Sequence, residues 1–401
     1  MLRRGPAGTQ VSDEPGPLAD LRVVDCSTVL AGPNCARYLA DFGADVVKVE
    51  RPGGGDSLRR MGWDDPDHPD GDVSLWWRLV GRNKRSVVLD LKDPVDLASF
   101  RDLCDTADVL VENFRPGTLE RLGLAPADLI ARNPRLVVTR VTGYGQTGPY
   151  RDRPGFATQA EAMSGFAALN GEVDGQPLLP PIALTDEVTA IAAAFATLVA
   201  VHSGVGQEVD VNLVETMLQL MGPLVSHYGV HGEVQERLGG GIFSTVPRNT
   251  YRTADDRWIA VSSSSDSVAA RLLELVGLDG DDRLATFAGR VAHRKELDEL
   301  LADWMAQRTA AEALAEFERA GAAAAAVYDM SDIFADEHVR SRGSIVELDG
   351  LPMQGLLAHL SATPGRLRWA GPPLPGSDAA PPGGAAGLWD RPQSSDGEVT
   401  R

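Results

Sequence analysis

"LRVVDCSTVLAGPNCARYLADFGADVVKVE", residues 21–50, holds a short β-branched run, a helix-spaced segment and a second β-branched run. Two short apolar strands around a helix-length segment predict a βαβ unit with parallel strands. Glu50 ends the second strand, where dinucleotide-binding units carry an acid for the ribose. The first turn, "STVLAGP" at 27–33, lacks the GxGxxG spacing, so a glycine cradle for a nicotinamide dinucleotide is not supported.

The same alternation continues outward from this unit. "SVVLDL", "DVLVENF", "RLVVTRVTGYG" and "GQEVDVNL" read as further strands, separated by segments of helical length such as "PVDLASFRDLCDTA". The pattern predicts an α/β fold whose parallel sheet is covered on both faces. After the Gly-rich "RLGGGIF" at 237–243, "YRTADDRWIAVSS" reads as a hairpin followed by charged and Ala-rich helices, a smaller α+β domain. The expected organisation is a tail over 1–16, a large domain over 17–225 and a small domain over 245–329. A return segment over 330–375 then completes the large domain, and a disordered Pro/Gly/Ser tail covers 376–401.

The chain has 401 residues, and its formal net charge of −19 disfavours nucleic acid or an anionic membrane as partner. Any basic contacts to an anionic ligand must then be local. Three cysteines without metal-ligand spacing fit a reduced, cytoplasmic setting, and none of the seven histidines sits in a metal-binding pattern. Gly229 and Gly232 argue against a helical pairing of His227 with His231. The apolar run after Glu187 reads as a buried helix, shorter and less apolar than a membrane span requires.

Three places carry chemistry. "GRNKRS" at 81–86 sets Arg82, Lys84 and Arg85 in a loop ahead of a strand, either a phosphate-binding loop or a solvated basic turn. "VENFRPG" at 111–117 closes a strand with Asn113, Phe114 and Arg115, at the strand end where ligands dock in open α/β sheets. Asp186 and Glu187 start a long apolar helix. They are either first-turn acids that complement the helix dipole, or one of them is a carboxylate nucleophile.

The order of motifs adds what no single motif does. The opening stretch, "GRNKRSVVLDLK", "ADVLVENFRPG", "VTGYGQTGPYRDRPGF", "ALTDEVTA", "GQEVDVNLVETML" and "AAAVYDMSDIFADEHVRSRG" follow one another from residue 17 to about 370. This ordered set resembles the family III CoA-transferases, the CaiB–BaiF family. The resemblance implies a Rossmann-like large domain, a small domain on two linkers, and two protomers interlocked as rings. It implies acyl-CoA and a small carboxylic acid as substrates, with coenzyme A the shared ligand and no metal. Thr28, Val29, Ala31, Arg51, Lys84, Arg85, Asn113, Phe114 and Arg121 match the family's coenzyme A contacts. Asp186 matches its catalytic aspartate. A racemase branch pairs this aspartate with a histidine, but Phe156 stands there and cannot carry a proton. A member that binds coenzyme A without catalysis is the other alternative. Ala190, where the family often has glycine, and the Pro/Gly C-terminus depart from the pattern.

Overall fold

The computed structural model of the chain describes residues 16–65, 73–375, 387 and 389. Its elements fall into two compact units. The first comprises the described residues up to Ser164, then 180–220, then those from Gly343 onward; the second is 165–179 and 221–342.

The first unit is built on six strands: β1 (Arg22–Asp25), β2 (Asp45–Glu50), β3 (Lys84–Val88), β4 (Val109–Glu112), β5 (Val137–Thr142) and β6 (Gln207–Asn212). Their order is β3-β2-β1-β4-β5-β6, with every pairing parallel. Parallel neighbours need crossovers, and helices supply them. In chain order these are α1 (Ala31–Asp41), α2 (Leu75–Val80), α3 (Pro94–Thr106), α4 (Thr118–Arg121), α5 (Pro126–Arg132) and α6 (Ala157–Met163). A one-turn helix of the second unit, α7 (Phe166–Leu169), precedes the longest helix, α8 (Leu184–Ser203), which leads into β6. After β6 comes α9 (Leu213–Leu220). The central strands β1 and β4 are apolar and buried because both faces are covered. Val24, Leu110 and Val138 pack with Phe100, Leu103 and Leu129 in one core.

Chain direction fixes where ligand chemistry is placed. The strand order reverses between β1 and β4, so their C-terminal ends open the crevice where such sheets bind ligands. A crossover helix runs back against the strands, so α1 and α8 both begin at that edge. They pack on each other, and α8 ends at Gly204, whose φ of 72° closes the helix in the left-handed region. The run expected to be too short for a bilayer forms a helix of 20 residues, with an 18-residue window of mean hydropathy 1.6. By length and composition alone it could cross a membrane. Here Thr189, Ala190, Ala193, Thr197 and Ala200 bury one face of it.

The second unit continues with α10 (Leu224–His231) and the strands β7 (Arg248–Arg252) and β8 (Trp258–Ser262), the expected hairpin. Then come α11 (Asp266–Leu275), α12 (Phe287–Ala292), α13 (Arg294–Ala306), α14 (Ala310–Ala320) and β9 (Ala324–Ala326), which pairs with β8. α15 (Met330–Ala335) and α16 (Glu337–Ser341) close the unit. The hairpin β10 (Ile345–Leu348) and β11 (Leu351–Gln354) lies back in the first unit.

Several expectations differ from this arrangement. Residues 330–342, expected in the return segment, belong to the second unit, where Arg257 holds Asp332 of α15 at 2.8 Å. Residues 165–179 also join it. Arg237 of "RLGGGIF" donates to the carbonyls of Ala168 (3.1 Å), Glu172 (3.2 Å) and Gly175 (2.7 Å). His227 and His231 do share the helix α10, their rings 5.1 Å apart, despite the glycines. The tail expected to be disordered over 376–401 contributes Trp389. It packs on the first unit's core and donates its indole N–H to Thr106 Oγ1 at 3.0 Å. The remaining residues of the two expected tails, except Gly16 and residue 387, lie outside the described residues.

"GRNKRS" is neither a phosphate loop nor a solvated turn. Arg82 is fully buried and clasps Asp41 of α1, with Nε at 3.0 Å and Nη2 at 2.6 Å, while donating to the carbonyls of Gln354 and Gly355. Asn83 joins Asp41 to Arg366 and Arg368. This junction ties α1 and the start of β3 to the returning chain. Removing one partner of a buried ion pair strands the other charge. Arg82→Ala is therefore expected to cost about 3–5 kcal/mol, measured by urea unfolding, and Arg82→Lys to recover little because an ammonium cannot form the fork.

Candidate active site

The turn after β1 is held from three sides. Asn113, just past β4, accepts from the Thr28 N–H at 2.8 Å and donates to the Thr28 carbonyl at 2.7 Å. Asp56 accepts from the Val29 N–H at 3.1 Å and ion-pairs with Lys48 at 3.2 Å. The Lys48 ammonium also donates to the Ser27 carbonyl. Val29 has a φ of 69°, an unfavourable region for a β-branched residue, so these bonds hold a strained turn in one shape. Gly32 lets α1 start close against it. A Cβ there would sit 2.4 Å from the Cβ of Ser27.

The charges beneath the turn are buried in pairs. Burial works against ionised Asp25, but the ammoniums of Lys48 and Lys84 hold its carboxyl below the usual range. Lys84 Nζ reaches Asp25 at 2.9 Å and the Pro33 carbonyl at 2.6 Å. Lys84, expected to contact coenzyme A from a loop, is instead the buried first residue of β3. Arg85, expected beside it, is the second residue of that strand and pairs with Asp45. Glu50, which ends β2, is clasped by Arg59 at 2.8 and 2.7 Å and accepts from the Asp56 N–H. It is spent on the fold rather than offered to a ribose.

The other expected contacts have varied settings. Thr28 is exposed, Val29, Asn113 and Phe114 are partly exposed, and Ala31 is buried in the first turn of α1. Arg51 is exposed at the start of a glycine turn, donating to the Gly55 carbonyl at 3.2 Å. Arg121 is exposed on α4, donating to Thr118 Oγ1 at 2.8 Å. Gln159 accepts from the Phe156 N–H at 2.9 Å, which turns its oxygen toward the start of α6.

The two acids at the start of α8 are treated differently. Glu187 takes the Asn34 amide at 2.7 Å and the Tyr38 hydroxyl at 3.0 Å, with the Arg37 guanidinium at 3.6 Å. All three donors come from one face of α1, at a helical spacing of three and four. Asp186 is partly buried and, among the described residues, its carboxylate has no hydrogen-bond or ion-pair partner. Burial first, then the charges of Glu187 and Glu161, push its carboxyl up to about 6. Glu161 itself, on α6, is buried and accepts from Thr185 Oγ1 at 2.9 Å. Asn34, Arg37, Tyr38, Asp56 and Glu161 were not expected from sequence. The polar stripe Asn34–Arg37–Tyr38 on an otherwise apolar helix was the available signal.

A six-stranded parallel sheet thus carries a held turn at its switch point and, in the first turn of α8, a carboxylate without a partner among the described residues. The sequence model of CoA-transferase family III matches residues 18–379. The chain belongs to this family. Transfer of coenzyme A between an acyl-CoA and a carboxylic acid is accordingly its activity. It is 40% identical over 372 residues to the succinyl-CoA–D-citramalate CoA-transferase of Chloroflexus aurantiacus, covering 90% of this chain and 92% of that protein. It is 41% identical over 378 residues to the beta subunit of the succinyl-CoA–L-malate CoA-transferase of the same organism, covering 89% and 91%. Among solved structures, a CaiB/BaiF family protein from Brucella suis superposes with a TM-score of 0.79 at 31% identity, covering 90% of this chain and 97% of that one. Among the described residues, no group of three or more His, Cys, Asp and Glu is placed to hold a metal ion.

The raised Asp186 carboxyl has a signed consequence. An unfolded aspartate releases its proton near 3.9, the folded one near 6. The folded state therefore binds more protons between these values, and stability falls as pH rises through that window. Asp186→Asn is expected to stabilise the protein by up to about 3 kcal/mol above the upper value, a gain that vanishes below the lower one. Thermal unfolding across that pH range measures it.

Proposed function

We propose that Asp186 is the nucleophile that carries the acyl group and then coenzyme A. The observation that supports this is its isolation. Of two adjacent carboxylates, Glu187 is consumed by α1 and Asp186 is left unpartnered at the edge where the sheet binds ligands. A desolvated carboxylate without hydrogen bonds is a stronger nucleophile than a solvated one.

In this reading an Asp186 oxygen attacks the donor thioester carbonyl. The carbon–sulfur bond breaks, and the coenzyme A thiolate leaves behind a mixed anhydride. The thiolate then attacks the aspartyl carbonyl, releasing the donor acid and leaving an aspartyl thioester. The acceptor carboxylate attacks that thioester to form a second anhydride, and the thiolate takes the acceptor acyl group from it. Each step trades one activated acyl bond for another, so positioning and exclusion of water are what the protein contributes. The held turn at Thr28 and Val29, with Asn113 and Phe114 beside it, would border the pantetheine arm. Of the expected contacts, Arg51 and Arg121 are exposed and would meet the phosphates; Lys84 would not, being committed to Asp25 and Pro33.

Malate and citramalate are both succinates with a 2-hydroxyl. The two relatives named for them support succinyl-CoA as donor and a 2-hydroxylated dicarboxylic acid as acceptor. An interlocked homodimer is supported by the exposed stripe Ile191, Phe195 and Val199 on α8, spaced four apart and apolar, with Leu218 and Leu220 also exposed on α9. The three free, buried cysteines suit a reducing, cytoplasmic compartment.

Asp186→Ala is expected to abolish transfer from succinyl-CoA to any acid of a carboxylate panel, by at least about a thousandfold, while remaining folded. Mass spectrometry of the acyl-CoA products reads the outcome, and near wild-type transfer in this variant contradicts the assignment.

A further inference from the structure

We propose that Glu161 is a positioning residue for this reaction: held beside Asp186 through Thr185, its carboxylate favours the acylated form of the nucleophile over the free one. The inference rests on the reading of Asp186 as nucleophile and goes beyond it. Glu161 is 4% exposed, and Thr185, whose hydroxyl donates to it, is fully buried. Among the described residues no Lys or Arg forms an ion pair with Glu161. A buried acid without a counter-cation is costly, and a fold under selection for stability alone would place an apolar residue there.

The charges around Asp186 can be told apart by element. From α8 itself comes Glu187, and from α6 comes Glu161. From α1, Arg37 and Tyr38 face Glu187, with Asn34 beside them. Glu187 thus has its compensation in α1, and among the described residues Glu161 is the acid beside the nucleophile that has no counter-cation.

Acylation removes the negative charge from Asp186. Its oxygen forms the new bond to the acyl carbon, and the charge departs on the coenzyme A thiolate. In the next step the charge departs on the donor carboxylate, and the aspartyl thioester left behind is also neutral. A neighbouring fixed negative charge destabilises only the free carboxylate, so it raises the fraction of enzyme that waits in the covalent state. The overall transfer equilibrium is unchanged, because Asp186 is regenerated at the end.

The test incubates the full-length enzyme with succinyl-CoA alone and measures by mass spectrometry how much of the Asp186 peptide carries a covalent adduct. Wild type is compared with Glu161→Gln, which keeps an oxygen acceptor for Thr185 but no charge. Thr185→Val, which frees the acid to swing away, is the second variant. Glu161→Gln is expected to lower the adduct fraction at neutral pH about threefold, the equivalent of half a pKa unit. The acid limb of single-turnover acylation is expected to move to lower pH by the same half unit or so. Thr185→Val should move both in the same direction. A purely structural role would lower the rate without moving the limb. Unchanged adduct fraction and limb in Glu161→Gln, or in Thr185→Val if the first variant does not fold, overturn the proposal while leaving the nucleophile in place. Absence of an adduct on Asp186 in wild type overturns both.

Discussion

Asn34, Arg37 and Tyr38 of α1 converge on the Glu187 carboxylate, and that contact sets where α8 begins relative to the sheet. Two helices that both run back against parallel strands bring their N-termini to the same edge. A carboxylate in the first turn of one, met by donors in the other, locks their relative rotation. The neighbouring residue on α8 is then directed elsewhere, and that residue is Asp186.

The turn after β1 shows the same economy of charge. Asp25, Lys48, Asp56 and Lys84 are all buried, and each is paired with another member of the set or with a backbone carbonyl of the turn. Such pairs add little net stability against an apolar alternative, but leaving any one unpaired is expensive. They therefore specify one conformation more than they strengthen it. The strained φ of Val29 is the visible result, held by Asn113 and Asp56. An acidic protein that handles an anionic ligand has buried several of its basic residues as framework and kept Arg51 and Arg121 at the surface.

Much of the sheet was readable because its evidence is local. β-branched runs at 22–25, 45–50, 109–112 and 137–142 carry their own periodicity, and helix-length spacers between them imply parallel strands. Asp186 was readable only through the order of motifs, since a first-turn acid alone looks the same whether it caps a helix or performs chemistry. What stayed hidden depends on partners far along the chain. Lys84 reads as a surface cation until Asp25 is placed beneath it, and Arg82 until Asp41 and the carbonyls near 354 surround it. Trp389 lies in a Pro/Gly stretch with no periodicity, yet its indole finds a core and Thr106. Glu161 has no local signature at all; its role follows from the helix it faces.

Entry of the Asp186 carboxylate into the covalent pathway is tested most directly by an oxygen-transfer measurement. The acceptor acid is supplied with heavy oxygen in its carboxylate, transfer from succinyl-CoA is run for many turnovers, and the fragment masses of the peptide spanning 180–204, which separate Asp186 from Glu187, are read. If the acceptor forms an anhydride with Asp186, its oxygen must be left behind in the side chain when the thiolate takes the acyl group. The account predicts that heavy oxygen accumulates in Asp186 and not in Glu187. Productive transfer with no label in Asp186 would contradict it.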